Sequence, residues 1–323
     1  MVDEGTLKAL EDKIAELKRL IQQDGLELGE ELSLLERKLE ELRREYFATL
    51  SDWDRVKLAR HERRPTGIEL VERVFDDFYE LRGDRLLGDD QALRGGLARL
   101  AGRTLVVLFH QKGRTLEEQK RYRFGMAGPA GYRKAVRLME LADRLRLPLV
   151  SLVDTPGAYP GVEAESHNIA GTIARSIETM LSVRVPTVAV IVGEGGSGGA
   201  VAIACADRVL MLEYAIYSVI SPEGAAAILW KDQKAAPKAA DALGLSAPKL
   251  LALGVIDEVL PEPLGGAHTD PDAAAATVRE ALMRHLDELA SLPLDELLAL
   301  RYKRYRDAGS YREIEAGSFL QDL

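Results

Sequence analysis

Cysteine is almost missing from this chain: 323 residues carry one, Cys205. One thiol forms no internal disulfide framework and no multi-cysteine zinc site. It lies in the small-residue run Ala200 to Ala206, where a free cysteine reads as a buried core residue. Nor is there an excess of basic residues. The formal net charge is -9, which argues against nucleic acid as a partner, because phosphate contacts need clustered Lys and Arg. No apolar run reaches the ~18 residues needed to cross a bilayer, and no charged-then-apolar signal segment opens the sequence. A cytoplasmic protein without a membrane span is expected. The glycine-rich stretch Gly193 to Gly199 lacks the following Lys-Ser or Lys-Thr of a nucleotide-binding P-loop.

What is present has clear periodicity. Leu7, Leu10, Ile14, Leu17 and Ile21 recur at steps of three and four, and Leu28, Leu32, Leu35, Leu39, Leu42 and Tyr46 repeat the pattern. Each set places one apolar stripe along a helix. With Asp24-Gly25 as the turn, residues 1–50 are expected to form a helical hairpin. Residues 51–92 read as mostly helical, with Val71, Val74, Phe75 and Phe78 on one face. From about 93 the character changes. Arg103 to His110, Pro148 to Val153 and Pro186 to Val192 are short apolar runs of strand type, and Arg208 to Leu212 and Ala215 to Ile220 are two more. Helical stretches, Gly131 to Arg146 and Ala164 to Ser182, lie between them. The alternation predicts an α/β domain with parallel pairing over 51–270. A C-terminal helical segment is expected over 271–323.

Each central strand ends in a glycine-bearing turn: His110 to Arg114, Asp154 to Gly161, and Gly193 to Ala200. Strand ends are where α/β sheets bind ligands. The third turn has five glycines in seven residues and leads into a helix. Backbone N–H groups at Gly198 and Gly199 are therefore candidates for an oxyanion hole. A tight turn without a ligand is the plain alternative. The same stretch contains Gly195-x-Ser197-x-Gly199, a pattern that can mark a nucleophile, but no His or acid is placed beside Ser197 by sequence. Lys112, Arg114, Lys120, Arg121 and Arg123 form a basic stretch, either a solvated face or a cationic rim for a phosphate- or carboxylate-bearing substrate.

Nine ordered strings carry a resemblance: LARHERRP (58–65), ELRGDR (80–85), HQKGR (110–114), GYRKAVRLM (131–139), DTPGAYPG (154–161), GEGGSGGA (193–200), YSVISPEG (217–224), ILWK (228–231) and PEPLGGAH (261–268). Together they resemble the carboxyltransferase alpha-subunit family of bacterial-type, multi-subunit acetyl-CoA carboxylases. The chain departs from that family at Glu165 to Gly171, where an Arg-Gly-Gln run is usual. The resemblance implies a crotonase-like (ClpP/crotonase) spiral of β-β-α units with an N-terminal helical hairpin and C-terminal helices. It implies a zinc-ribbon-bearing beta subunit in an α2β2 assembly, together with a biotin carboxyl carrier protein and a biotin carboxylase. Biotin would arrive on that carrier, since this chain has no Met-Lys-Met attachment motif, and no metal is expected here. The implied reaction moves a carboxyl group from carboxybiotin to acetyl-CoA, giving malonyl-CoA for fatty acid synthesis. It assigns the biotin ureido oxygen to Gly198 and Gly199. Gly195, Gly196, Gly157, Ala158, Tyr159, Lys112 and Arg114 are the accompanying substrate-binding candidates. No side-chain base is required, because the biotin nitrogen can take the methyl proton. Three other readings compete: an acyl-CoA hydratase using Glu194, a serine peptidase using Ser197, and a scaffold acting through its N-terminal helices.

Overall fold

The computed structural model describes residues 4–24 and 29–309. Gly25 of the expected turn and the tail from 310 lie outside the described residues. Two helices, α1 (Glu4–Asp24) and α2 (Gly29–Ala48), pack on each other around Ile14 and Leu39. Leu10, Leu32, Leu35, Leu42 and Tyr46 of the two stripes pack against this pair, while Leu28 lies outside the described residues. Then follow α3 (Asp52–Ala59), α4 (Gly67–Val74), β1 (Asp77–Glu80), β2 (Leu93–Leu100), β3 (Arg103–His110), α5 (Leu116–Arg121), α6 (Pro129–Leu145), β4 (Leu149–Thr155), α7 (Val162–Ser166), α8 (Ile169–Ser182), β5 (Thr187–Gly196) and α9 (Ser197–Ala204). The chain continues through β6 (Arg208–Leu212), β7 (Ile216–Ser218), α10 (Pro222–Trp230), α11 (Ala236–Leu243), α12 (Ala247–Ala252), β8 (Glu258–Leu260), α13 (Pro271–Ala290) and α14 (Leu294–Arg306).

The strands form one sheet in the order β1-β2-β3-β4-β5-β6-β8, with β7 paired to β5. The β1-β2-β3 edge is antiparallel and the remaining pairs are parallel. Every residue of β4 is buried, as are the first nine of β5. Helices cover both faces of such strands, which is why they read as unbroken apolar runs.

The expectation that 51–92 is mostly helical fails: only Asp52–Ala59 and Gly67–Val74 are helices there, and two segments show why local pattern misleads. Residues 77–80 are the edge strand β1 rather than helix, so Phe78 leaves the helical face that Val71 and Val74 share. Four residues carry too little pattern to reveal a strand whose state is set by pairing with β2. The stretch 164–182 is two helices, broken at Asn168, which sits at φ 61° and caps α8 by accepting the Gly171 N–H. Asparagine is one of the few non-glycine residues that adopts this left-handed conformation readily.

The feature that positions the site is an irregularity between β4 and β5. Val153 pairs with Ile191, but the next pair is Thr155 with Gly195. Two steps along β4 therefore face four along β5, a bulge that bends the longer strand. Before the bulge β5 pairs with β6; after it, Glu194 to Gly196 pair with β7. Distant clamps hold this frame. The Arg301 guanidinium of α14 is buried against the Asp207 carboxylate and the Val185 carbonyl. Arg64 bonds the Glu262 carboxylate at 2.7 and 3.0 Å and the Val192 carbonyl at 2.7 Å.

Candidate functional site

The turns after β4 and β5 run side by side. A side-chain carbon at Gly196 would lie 2.1 Å from the Pro156 carbonyl oxygen, and one at Gly199 would lie 2.5 Å from the Gly157 carbonyl carbon. Both glycines are required by this back-to-back packing, whatever binds nearby. Gly198 is different: a carbon there meets only the methyl groups of Ile173, at 3.6 and 3.8 Å. Packing does not demand glycine at 198. Gly196, Ser197 and Gly198 are half-buried at the surface of the turn.

Helix α9 starts at Ser197, and its first N–H groups have no intrahelical acceptor. The residue at its cap is Gly196, which has no side chain to bond them. Gly198 and Gly199 thus stand in the first turn, where unpaired donors and the helix dipole favour negative charge. Ser197 holds φ at 52°, unusual for a residue with a Cβ.

A chain of charges lies beneath. Lys112 Nζ donates to Asp154 Oδ1 at 2.7 Å and to Glu194 Oε2 at 3.2 Å. Asp154 Oδ1 also accepts the Glu194 N–H at 2.8 Å. Arg60 donates to Glu194 at 2.7 Å and to Glu223 at 2.6 Å. Burial alone would raise the Glu194 carboxyl, but Lys112 and Arg60 outweigh it and hold it below the ordinary range. Glu194 is therefore a fixed anion inside ion pairs, a poor general base for the hydratase reading.

Lys112 and Arg114 do not form the free cationic rim that the sequence allowed. Lys112 is committed to the two carboxylates. Arg114 pairs with Glu69 and donates to the Glu62 and Arg64 carbonyls at 2.8 and 2.9 Å, which fastens the 110–114 turn to the start of α4. The Tyr159 ring lies under the Arg123 guanidinium at 4.8 Å and lines a cavity of about 290 Å³ with Asp90 and His167. Lys112, Asp154, Pro156, Glu194, Arg60 and Phe124 line another, of about 190 Å³. The 154–161 turn contributes to both, Asp154 and Pro156 to the smaller and Tyr159 to the larger. Gly157, Ala158, Gly195 and Gly196 sit together at the junction of the two turns.

No histidine serves Ser197. His61 stacks on His268 at 3.6 Å, His167 bonds the Glu163 carbonyl, His285 bonds Glu258, and His110 is fully buried without a ring partner. Burial pushes the His110 imidazole down to about 3 and that of His268 to about 4. Ser197 lacks the base that a nucleophilic serine needs. Among the described residues no group of three or more His, Cys, Asp or Glu is placed to hold a metal, and no helix is long and apolar enough to cross a membrane.

Sequence reasoning missed Arg60, Asp154 and Glu223 as parts of the site. Asp154 and Lys112 are 42 positions apart, and Arg60 and Glu194 are 134 apart. Nothing local marks such pairs, although Asp154 does stand first in its glycine-bearing turn.

Known proteins share both the sequence and the layout. The family described as acetyl co-enzyme A carboxylase carboxyltransferase-like matches residues 2–309. The acetyl-coenzyme A carboxylase carboxyl transferase subunit alpha of a Thermus thermophilus strain is 54% identical over 304 residues, covering 94% of this chain and 96% of that protein. Its counterpart from Deinococcus radiodurans is 52% identical over 307 residues, covering 95% and 97%. Among solved structures, the transcarboxylase 12S core with methylmalonyl-coenzyme A bound superposes with a TM-score of 0.56 at 20% identity, over 77% of this chain and 43% of that one. At that identity the likeness speaks for the fold, which is the crotonase-like one. On the strength of the sequence matches, this chain belongs to the carboxyltransferase alpha-subunit family of acetyl-CoA carboxylase.

Proposed function

We propose that this chain provides the biotin-facing half of a carboxyltransferase site and transfers the carboxyl group of carboxybiotin to acetyl-CoA, giving malonyl-CoA. The observation that carries this reading is the open backbone at Gly198, the glycine among Gly196, Gly198 and Gly199 that packing leaves free, at the uncapped start of α9. A ureido group needs such a place, because its oxygen gains negative charge as the carboxyl leaves and must be met by donors already aimed at it. Bound carboxybiotin would supply the activated carboxyl group. The chain's own part is electrostatic. The Gly198 and Gly199 N–H groups hold the charge. Gly157, Ala158, Gly195 and Gly196 form the floor that keeps those donors in place. Tyr159 with Arg123 lines the larger of the two cavities. Glu194, ionised and paired, takes no proton, in keeping with a reaction whose base is the biotin nitrogen.

The remaining requirements fall on other chains. The thioester oxygen of acetyl-CoA is assigned to a zinc-bearing beta subunit in an α2β2 assembly, and biotin to a carrier protein served by a biotin carboxylase, all in the cytoplasm. The lack of a free cationic rim at Lys112 and Arg114 supports placing the coenzyme A phosphates elsewhere. Co-expression with a beta subunit, followed by decarboxylation of malonyl-CoA in the presence of biotin, tests the reading. Turnover should appear only in the complex. A complex that assembles but leaves malonyl-CoA intact overturns it, as would equal turnover by this chain alone.

A further inference from the structure

We propose that Asp154 and Lys112 are positioning residues that lock the β4–β5 bulge and so set the register of the Gly198 and Gly199 donors. The inference rests on the carboxyltransferase reading above and adds residues that touch no substrate. At the bulge β5 carries two more residues than β4, and the gap is filled by the Asp154 carboxylate, which accepts the Glu194 N–H at 2.8 Å. That bond fixes the backbone four residues before Gly198. The carboxylate is itself held by Lys112, which reaches Asp154 and Glu194 together and neutralises two acidic groups that are each over nine-tenths buried. Without Lys112 the two carboxylates lose their shared counter-charge, only Glu194 keeps a cation in Arg60, and the two repel. Downstream of this pin the turns stay in step through contacts of Pro156 with Gly196 and of Gly157 with Gly199.

The groups facing Glu194 are Lys112 from the 110–114 turn, Arg60 at the end of α3, Asp154 at the end of β4 and, through Arg60, Glu223 of α10. Arg64, His61 and Glu62 line the same cavity. With Lys112 present Glu194 stays ionised across the neutral range. In Lys112→Met the shared cation is gone, Arg60 still holds Glu194, and the unscreened Asp154 carboxylate pushes on the strand it had pinned.

The experiment compares wild type, Lys112→Met, Lys112→Arg and Gly198→Val in the complex with the beta subunit. Lys112→Met is expected to lower kcat by about 10²-fold, the scale of a roughly 1 Å misplacement of catalytic groups. KM for malonyl-CoA and for biotin should stay within about twofold, since the residue touches neither substrate. Lys112→Arg, which keeps the cation, should restore most of the rate. Amide hydrogen exchange gives a readout apart from activity: the peptide containing Glu194 to Gly199 should exchange faster in Lys112→Met, while that containing Leu149 to Val153 should not change. A rise in KM with kcat intact would make Lys112 a substrate-contacting residue and overturn the proposal. So would unchanged exchange at Glu194 to Gly199, or faster exchange throughout the sheet. If Gly198→Val turns over normally while Lys112→Met behaves as expected, the donor assignment fails and the bulge lock stands.

Discussion

An alanine methyl should act in opposite directions at two adjacent glycines. At Gly199 the added carbon would lie 2.5 Å from the Gly157 carbonyl carbon and 2.6 Å from the Ala158 nitrogen. Both are backbone atoms of the neighbouring turn, so neither can swing aside as a flexible side chain would. Overpacking of this kind costs about 1–3 kcal/mol. At Gly198 the carbon would meet only Ile173 methyls, at 3.6 Å, an ordinary van der Waals contact. There the change removes backbone freedom from the unfolded chain and should stabilise by about 0.4–1 kcal/mol. One kcal/mol corresponds to a few degrees of Tm in a domain of this size class, so Gly198→Ala should melt about 1–3 °C higher and Gly199→Ala several degrees lower. Activity should not follow stability. A side chain at 198 shields the donors at the start of α9, so Gly198→Ala should lose turnover despite its higher Tm. Gly198→Val should lose about 10²–10³-fold, the scale of one missing oxyanion donor. Thermal unfolding of the chain, with malonyl-CoA decarboxylation by the complex, measures both. Normal turnover by a well-folded Gly198→Val complex refutes the donor assignment. A Gly198→Ala chain that melts below wild type refutes the packing argument.

Three further outcomes are expected. Arg64→Met strands the Glu262 carboxylate, whose side chain is 0% exposed, and should cost about 3–5 kcal/mol; a denaturation midpoint close to wild type would show that the pair contributes little. Ser197→Gly should relieve about 1 kcal/mol of left-handed strain at φ 52° and leave turnover near normal, as should Ser197→Ala. A loss of about 10³-fold in either would revive a nucleophilic serine. Metal analysis of the purified chain should find far less than one zinc per chain; one tightly held zinc would contradict the placing of the zinc ribbon on the partner.

The central strands could be read from the sequence because both their faces are buried. Arg103 to His110 and Arg208 to Leu212 are apolar runs whose ends coincide with β3 and β6. The N-terminal helices were legible for a related reason: a period of three and four is a local property of each stripe. The tight glycine turn between β5 and α9 was legible as well, since five glycines after an apolar strand mark a backbone under unusual constraint. Motif identity carried the family, and chain-local patterns carried most of the elements.

Pairing decided the rest. Residues 77–80 became a strand only because β2 offers them partners, and β2 itself contains Gly95 and Gly96, which weaken any local strand signal. Which glycine is free and which is a packing necessity depended on the distance between two turns about 40 residues apart in sequence. Lys112 looked like a surface cation from its neighbours Lys120 and Arg121. It proved to be the counter-charge of Asp154 and Glu194, because the ends of three adjacent parallel strands bring those residues together. Composition determines how much charge a chain carries. Which charges neutralise one another inside, and which remain for a ligand, is determined only when the sheet closes and water leaves the space between its strand ends.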